Sequence, residues 1–87
     1  MAGYAAAMTR AKVEFTIEPF LDGALGPHVQ AAVDAAKSFD DAVVVGPFGS
    51  SAVVTVIDAP VLVHDVIRAA MANGATRVAI QVERLAE

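Results

Sequence analysis

Two segments of alternating polar and apolar residues, one near each end of the chain, constrain the fold more than any other feature. The alternation is strict over Val13–Glu18 and again over Val78–Glu83. A period of two in segments rich in β-branched and aromatic residues predicts strands with one buried and one exposed face. Pro19 ends the first strand, because proline has no N–H to donate to a neighbouring strand. We therefore predict a first strand that begins at Lys12 and a last strand over Thr76–Leu85.

Two segments with helical periodicity lie between these strands. Pro27 is expected to be the first residue of one helix, where its missing N–H costs nothing, and this helix extends to about Ser38. Asp58 is a candidate N-cap for the second helix, which ends at Asn73-Gly74 because glycine suits the left-handed conformation there. The buried stripe predicted for the first helix is Val29, Ala32, Val33 and Ala36, and that for the second is Val63, Val66, Ile67, Ala70 and Met71.

The middle of the chain supplies two more short strands, Ala42–Val45 and Ala52–Val56, joined by the turn Gly46–Ser51. The resulting order of strand, helix, strand, strand, helix and strand predicts an α+β fold. We expect a ferredoxin-like βαββαβ sandwich, with a four-stranded antiparallel sheet, two helices on one face, and the first and third strands central. Residues 11–87 form this single domain, and residues 1–10 are expected to be a flexible N-terminal tail.

Composition limits the partners of the chain. Its 87 residues are 56% apolar, whereas about 45–50% is typical of globular domains. Either the core is unusually complete for the length, or another subunit covers apolar surface. We favour the second, a homodimer or homotetramer, because small domains often gain stability by association. The net charge is −4 and the basic residues are scattered, so we do not expect a nucleic-acid partner.

The same composition favours the cytoplasm. The chain has no cysteine, which excludes disulfides and thiolate chemistry and fits a reducing compartment. The apolar runs are too short to insert in a membrane. The first ten residues lack the charged leader and long apolar stretch of a secretory signal.

The side of the sheet that faces away from the helices is predicted to be mixed in character. Its residues are Glu14, Thr16, Glu18, Ala79, Gln81 and Glu83, with Val44 and one of Val53 and Val54. This face is either a solvated surface or a surface that packs on a second subunit beside a polar pocket. In the second case the glutamates need partners, because an unpaired buried charge is costly.

Residues that could form a catalytic or metal site are few. His28 stands at the start of the first helix and His64 within the second, and neither has the neighbours of a catalytic triad or a zinc site. We expect His28 to be solvated or hydrogen-bonded to the loop, and His64 to be solvated. Glu14 and Glu18 are roughly 13 Å apart along a strand, too far for a glycosidase pair. We therefore predict no catalytic residue, no metal and no enzyme activity.

Four segments, taken in order, suggest a family. They are VEFTIEPF (13–20), GPHVQAAVDAA (26–36), VGPFGSS (45–51) and NGATRVAIQVE (73–83). As a set they resemble the thiamine/hydroxymethylpyrimidine-binding (YkoF-like) family, in a single-repeat form, over about Lys12–Glu83. The resemblance implies a ferredoxin-like fold, assembly into dimers or tetramers, and no cofactor. It also implies non-catalytic binding of thiamine or its hydroxymethylpyrimidine part in thiamine uptake or salvage.

The resemblance also implies a ligand site between the first strand and the central turn. Its residues are Glu14, Thr16, Glu18, Phe48, Gly49, Ser50 and Ser51. Phe48 would offer an aromatic face, the serines hydroxyl or backbone partners, and Glu14 or Glu18 a carboxylate for the amino group or the cationic ring.

The sequence departs from the family in one place. Many relatives have a glycine followed by an acid shortly after the turn, where this chain has Val53-Val54-Thr55. Ser50 replaces the threonine of the family's turn and keeps its hydroxyl.

Two other functions are compatible with the sequence. The first is an oligomeric regulatory or assembly module with no thiamine ligand, which the apolar surplus favours. The second is an enzyme of the ferredoxin-like class that uses His28 or Glu18, although no residue pattern in the sequence favours this function.

The helical pattern around Val33 generates a first prediction. Val33→Asp places an unpaired charge in the predicted core, so we expect it to lower the free energy of unfolding by about 4 kcal/mol or more and to unfold the domain. Circular dichroism and thermal melting of the purified variant measure this. A soluble variant with a normal melting temperature would contradict the helix assignment.

Overall fold

The computed structural model describes residues 9–21, 25–46 and 49–86. The elements are β1 (Arg10–Glu18), α1 (Pro27–Lys37), β2 (Val44–Val45), β3 (Ser50–Thr55), α2 (Ala59–Ala72) and β4 (Arg77–Arg84). The four strands form one antiparallel sheet in the order β2-β3-β1-β4. This confirms the predicted α+β ferredoxin-like fold with the first and third strands at its centre.

The first strand is longer than the sequence predicts. β1 begins at Arg10, and the carbonyl of Thr9 accepts a hydrogen bond of 2.8 Å from the N–H of Val56. Arg10 therefore belongs to the sheet and not to the tail expected over residues 1–10. Residues 1–8 of that tail lie outside the described residues. Within the described ranges, no helix is long and apolar enough to cross a membrane.

The alternation in β1 produces the core. Val13, Phe15 and Ile17 are at most 3% exposed and point to the helix side of the sheet. Val33 of α1 and Leu62 of α2 are fully buried against the same cluster. These side chains belong to one cluster, so the core is a single layer between the sheet and the helices. Burying each of them stabilises the fold by about 1.5–3 kcal/mol relative to leaving it in water.

The buried stripe of α2 is rotated from the predicted one. Its buried residues are Ala59, Leu62, Val66 and Ala70. Ile67 is 40% and Met71 49% exposed, so the prediction that they are buried is wrong for this chain taken alone. Apolar residues occupy two adjacent faces of the helix, and the face that contains Leu62 is the one that packs on the sheet.

The two ends of α2 lie where the sequence predicts them, but only the C-terminal end is stopped in the way that was predicted. Asp58 occupies the N-cap position, yet its side chain makes no capping hydrogen bond. Its N–H instead donates to the hydroxyl of Thr55 (3.2 Å). Gly74 has φ of +98°, the left-handed conformation expected after the helix.

Asp40 explains why β2 contains two residues instead of the predicted four. One oxygen of its carboxylate accepts from the N–H of Ala42, and the other accepts from the N–H of Val53 in β3, both at 2.9 Å. The β2–β3 pairing, if continued, would place Ala42 opposite Val53. The carboxylate therefore substitutes for strand pairing at this point, and β2 begins only at Val44.

These contacts make the stability depend on pH. The N–H groups of Val53 and then of Ala42 lower the pKa of Asp40. A carboxyl whose pKa is lower in the folded than in the unfolded state stabilises the fold above the unfolded pKa. This stabilisation is lost as the pH falls through the lowered folded pKa.

We therefore expect Asp40→Asn to lower the free energy of unfolding by about 1 kcal/mol at neutral pH. The difference from the wild type should shrink in acid, where the wild-type carboxylate is protonated. Denaturant titrations at several pH values measure this, with Asp41→Asn in the same turn as a control that should change little. Equal effects of the two variants would contradict the role of Asp40.

Candidate functional site

Strand pairing defines the face of the sheet that is free of helices. Glu14 lies opposite Ser51 of β3 and opposite Gln81 of β4, and directly opposite residues share a face. Val53 belongs to this face, whereas Val54 is buried in the core. The pairing confirms the predicted face and decides between the two valines.

A depression of about 370 Å³ lies on this face beside the β2–β3 turn. Its lining residues are Glu14, Phe15, Thr16, Val44, Gly46, Gly49, Ser50 and Ser51. Five of the predicted site residues therefore come together: Glu14, Thr16, Gly49, Ser50 and Ser51. The volume is at the lower end of the about 300–1,000 Å³ typical of small-molecule sites. Phe48, predicted for the same site, lies outside the described residues.

The two serines of the turn contribute differently. Ser51 shares a face with Glu14, but Ser50 is its neighbour along β3 and therefore points to the helix side, where it is only 7% exposed. The sequence places β3 at Ala52, which leaves both serines in the turn. Because the strand begins at Ser50, alternation separates their side chains.

Glu14 and Glu18 also differ in position. Glu14 lines the depression, with the ammonium of Lys12 at 3.6 Å. Glu18 lies at the far end of β1, with Arg77 at 3.6 Å, and does not line the depression. Both pairs are partly exposed, so each contributes little to stability. Neither basic partner was predicted from the sequence. Arg77 reaches Glu18 only because β4 pairs with β1, and no local sequence pattern shows that pairing.

Gly49 brings the turn close to β1. A Cβ at this position would lie 3.2 Å from the hydroxyl oxygen of Thr16 and 3.3 Å from the carbonyl oxygen of Phe15. A side chain here would therefore crowd the floor of the depression, and glycine keeps that floor open.

An apolar crevice that the sequence did not predict lies on the helix side of the sheet. It is lined by Phe15, Ile17, Phe20, Leu21, Leu25, Gly26, Val29, Gly46, Gly49 and Ser50. Its volume of about 80 Å³ is too small for a ligand with two rings. The sequence feature that could have indicated it is the presence of three large apolar residues, Phe20, Leu21 and Leu25, in a segment predicted only as a loop. All three are exposed in the structure.

His28 has a structural position beside this crevice. Its imidazole is buried, and Nε2 donates to the carbonyl of Pro19. Of the two expected alternatives, the hydrogen bond to the loop is therefore correct and the solvated position is wrong. His64 is exposed and contacts the carboxylate of Asp65 at 3.0 Å. Within the described part of the chain, no group of three or more His, Cys, Asp or Glu side chains could hold a metal ion.

The comparisons with known proteins concern the fold. No family model and no curated protein matches the chain. Among solved structures, it is similar to that of a domain of unknown function, DUF77, from Bacillus cereus, with a TM-score of 0.54 and 17% identity. The similarity covers 93% of this chain and 80% of that chain. It supports the fold and assigns no role to individual residues.

Gly26 and His28 generate a prediction about this loop. A Cβ on Gly26 would lie 2.5 Å from Cε1 of His28 and 2.7 Å from the side chain of Leu21. We expect Gly26→Ala and His28→Ala each to lower the free energy of unfolding by about 1–3 kcal/mol. The alanine at Gly26 should cost at least about 0.5 kcal/mol less when His28 is already alanine. Denaturant unfolding of both single variants and the double variant measures the coupling, and strictly additive effects would contradict the contact.

Proposed function

We propose that this domain is a cytoplasmic, non-catalytic binding protein for thiamine or its hydroxymethylpyrimidine part, acting in thiamine uptake or salvage. The observation that carries the proposal is the depression beside the β2–β3 turn, where the carboxylate of Glu14 lies with the hydroxyl-bearing residues Thr16 and Ser51. These residues belong to segments whose sequence resembles the thiamine-binding family. The similarity to the DUF77 domain supports the fold that such a site needs.

The chemistry of the depression suits an aminopyrimidine with an attached cation. A carboxylate accepts hydrogen bonds from an exocyclic amino group and stabilises a nearby positive charge. Hydroxyl groups can donate to ring nitrogens, and the exposed side chain of Val44 offers an apolar wall to a flat ring.

Glu14 is the carboxylate that we assign to the ligand. The sequence left Glu14 and Glu18 as alternatives, and only Glu14 lines the depression. It is also the one acidic side chain among the described residues of that lining. The acid that many relatives carry after the turn is absent here, so the proposed recognition of the amino group depends on Glu14.

Isothermal titration of the purified protein with thiamine, hydroxymethylpyrimidine and thiamine phosphates tests this function. We expect saturable binding, weakened about tenfold or more in Glu14→Gln, which corresponds to the loss of one charge-assisted hydrogen bond. Glu18→Gln is the matched control, because Glu18 is also on β1, on the same face, and has a basic partner at the same distance.

Three outcomes separate the alternatives. Loss of binding in Glu14→Gln alone supports the proposed site. Loss in Glu18→Gln alone would contradict the assignment of the carboxylate and move the site toward Arg77. No heat with any of these ligands, at concentrations where the protein is folded, would contradict the proposed function and favour an assembly module. The exposed apolar side chains of Ile67 and Met71 are the observation in favour of that second function.

A further inference from the structure

The outer edge of β4 has no strand beside it in the described part of the chain. β4 is the last strand of the sheet and has eight residues, and Val82, in its C-terminal half, is 54% exposed. A long edge with apolar side chains is a template for pairing with another chain, unless charges or prolines prevent this. Here the charged residues Arg77, Glu83 and Arg84 stand only at the two ends of the strand.

The backbone groups on this edge can be identified. The N–H of Leu85 donates to the carbonyl of Arg10 at 2.9 Å, which makes these two residues a hydrogen-bonded pair of the β1–β4 ladder. Such pairs alternate along an antiparallel ladder, and the pairing is continuous through the strand. The N–H and C=O groups of Val78, Ile80 and Val82 therefore point away from β1, toward solvent.

We propose that a second copy of this chain binds along β4, antiparallel, with Ile80 on the two-fold axis. In this register Val78 lies opposite Val82 of the partner subunit, and Arg77 lies opposite Glu83 of the partner subunit. The three outward-facing residues of each strand then hydrogen-bond to those of the other strand. The two sheets become one continuous eight-stranded sheet.

Charge and apolar matching select this register over its two neighbours. A two-fold axis at Gln81 or at Ala79 would also keep each face of the sheet continuous and would pair β-branched residues, but neither places opposite charges across from each other. The first puts Ala79 opposite Glu83, and the second puts Arg77 opposite Gln81. Opposite charges across strands stabilise a sheet, as do pairs of β-branched residues. Only the axis at Ile80 provides both a pair of opposite charges and a pair of β-branched residues, and the two-fold symmetry makes each pair occur twice.

The exposed flank of α2 supports the same interface. Ala69 lines a cleft against α1, whereas Val63, on the other flank, lines a groove of about 490 Å³ with Val82 of β4. Ile67 and Met71 follow Val63 at intervals of four residues and share its flank. In the continuous sheet the two α2 helices lie on the same face beside the axis, so this apolar flank faces its counterpart.

Charge reversal tests the interface, with sedimentation velocity as the measure of association. We expect the wild type to be a dimer and Glu83→Arg to raise its dissociation constant about tenfold or more, because like charges then face each other twice. Adding Arg77→Glu in the same chain should restore association, since opposite charges face each other again. Asp41→Arg, in an exposed turn far from β4, is the matched control and should remain dimeric.

Disulfide trapping tests the register, because the chain contains no cysteine of its own. With the axis at Ile80, Ala79 lies opposite Gln81 of the partner subunit in a non-hydrogen-bonded pair. Their Cα atoms are then about 4.5 Å apart, within the about 4.4–6.8 Å of a disulfide. A mixture of Ala79→Cys and Gln81→Cys chains should cross-link under a mild thiol oxidant, and neither variant should do so alone.

The outcomes are decisive in both directions. Cross-linking only in the mixture, together with loss and rescue by charge, supports the proposal. A monomeric wild type overturns it, as does a dimer that Glu83→Arg leaves unchanged. Cross-linking of Gln81→Cys with itself would place the axis at Gln81 and overturn the register. None of these results depends on thiamine binding, because no residue of β4 lines the ligand depression, which lies between β1 and the β2–β3 turn.

Discussion

The antiparallel pairing of β1 with both β3 and β4 is the constraint on which the rest of the structure depends. It fixes which side of the sheet each residue of β1 occupies, so that Phe15 enters the core while Glu14 and Thr16 face outward. A shift of one residue would exchange these roles along the whole strand. Both the core and the floor of the depression are therefore consequences of one register, held on both sides of the same strand.

The sequence predicted the order of elements because the alternation of β1 and β4 and the helical periodicity between them are strong local signals. It failed where two local solutions look alike. In α2, a stripe through Leu62 and one through Ile67 are equally apolar, and only packing on the sheet decides between them. The length of β2 depends on Asp40, which accepts a hydrogen bond from Val53, thirteen residues further along the chain. A contact between residues so far apart in sequence produces no local pattern.

The candidate site was predictable in part for the same reason. Glu14, Thr16 and Ser51 meet because neighbouring strands bring together residues that share a face. Glu18 has the same chemistry and the same face, but distance along the strand separates it from the depression. Ser50 shows how much depends on where a strand begins, since extending β3 to include this serine moves its side chain to the other side of the sheet.

The carboxylate of Asp40 also makes the two edges of the sheet unequal. On the β2 side, it already occupies a backbone N–H that an incoming strand would use, and the strand at that edge is only two residues long. A sheet of this kind can grow in one direction only. If two subunits join through β4, each consumes its one suitable edge, so the association closes at that contact and does not continue into a filament.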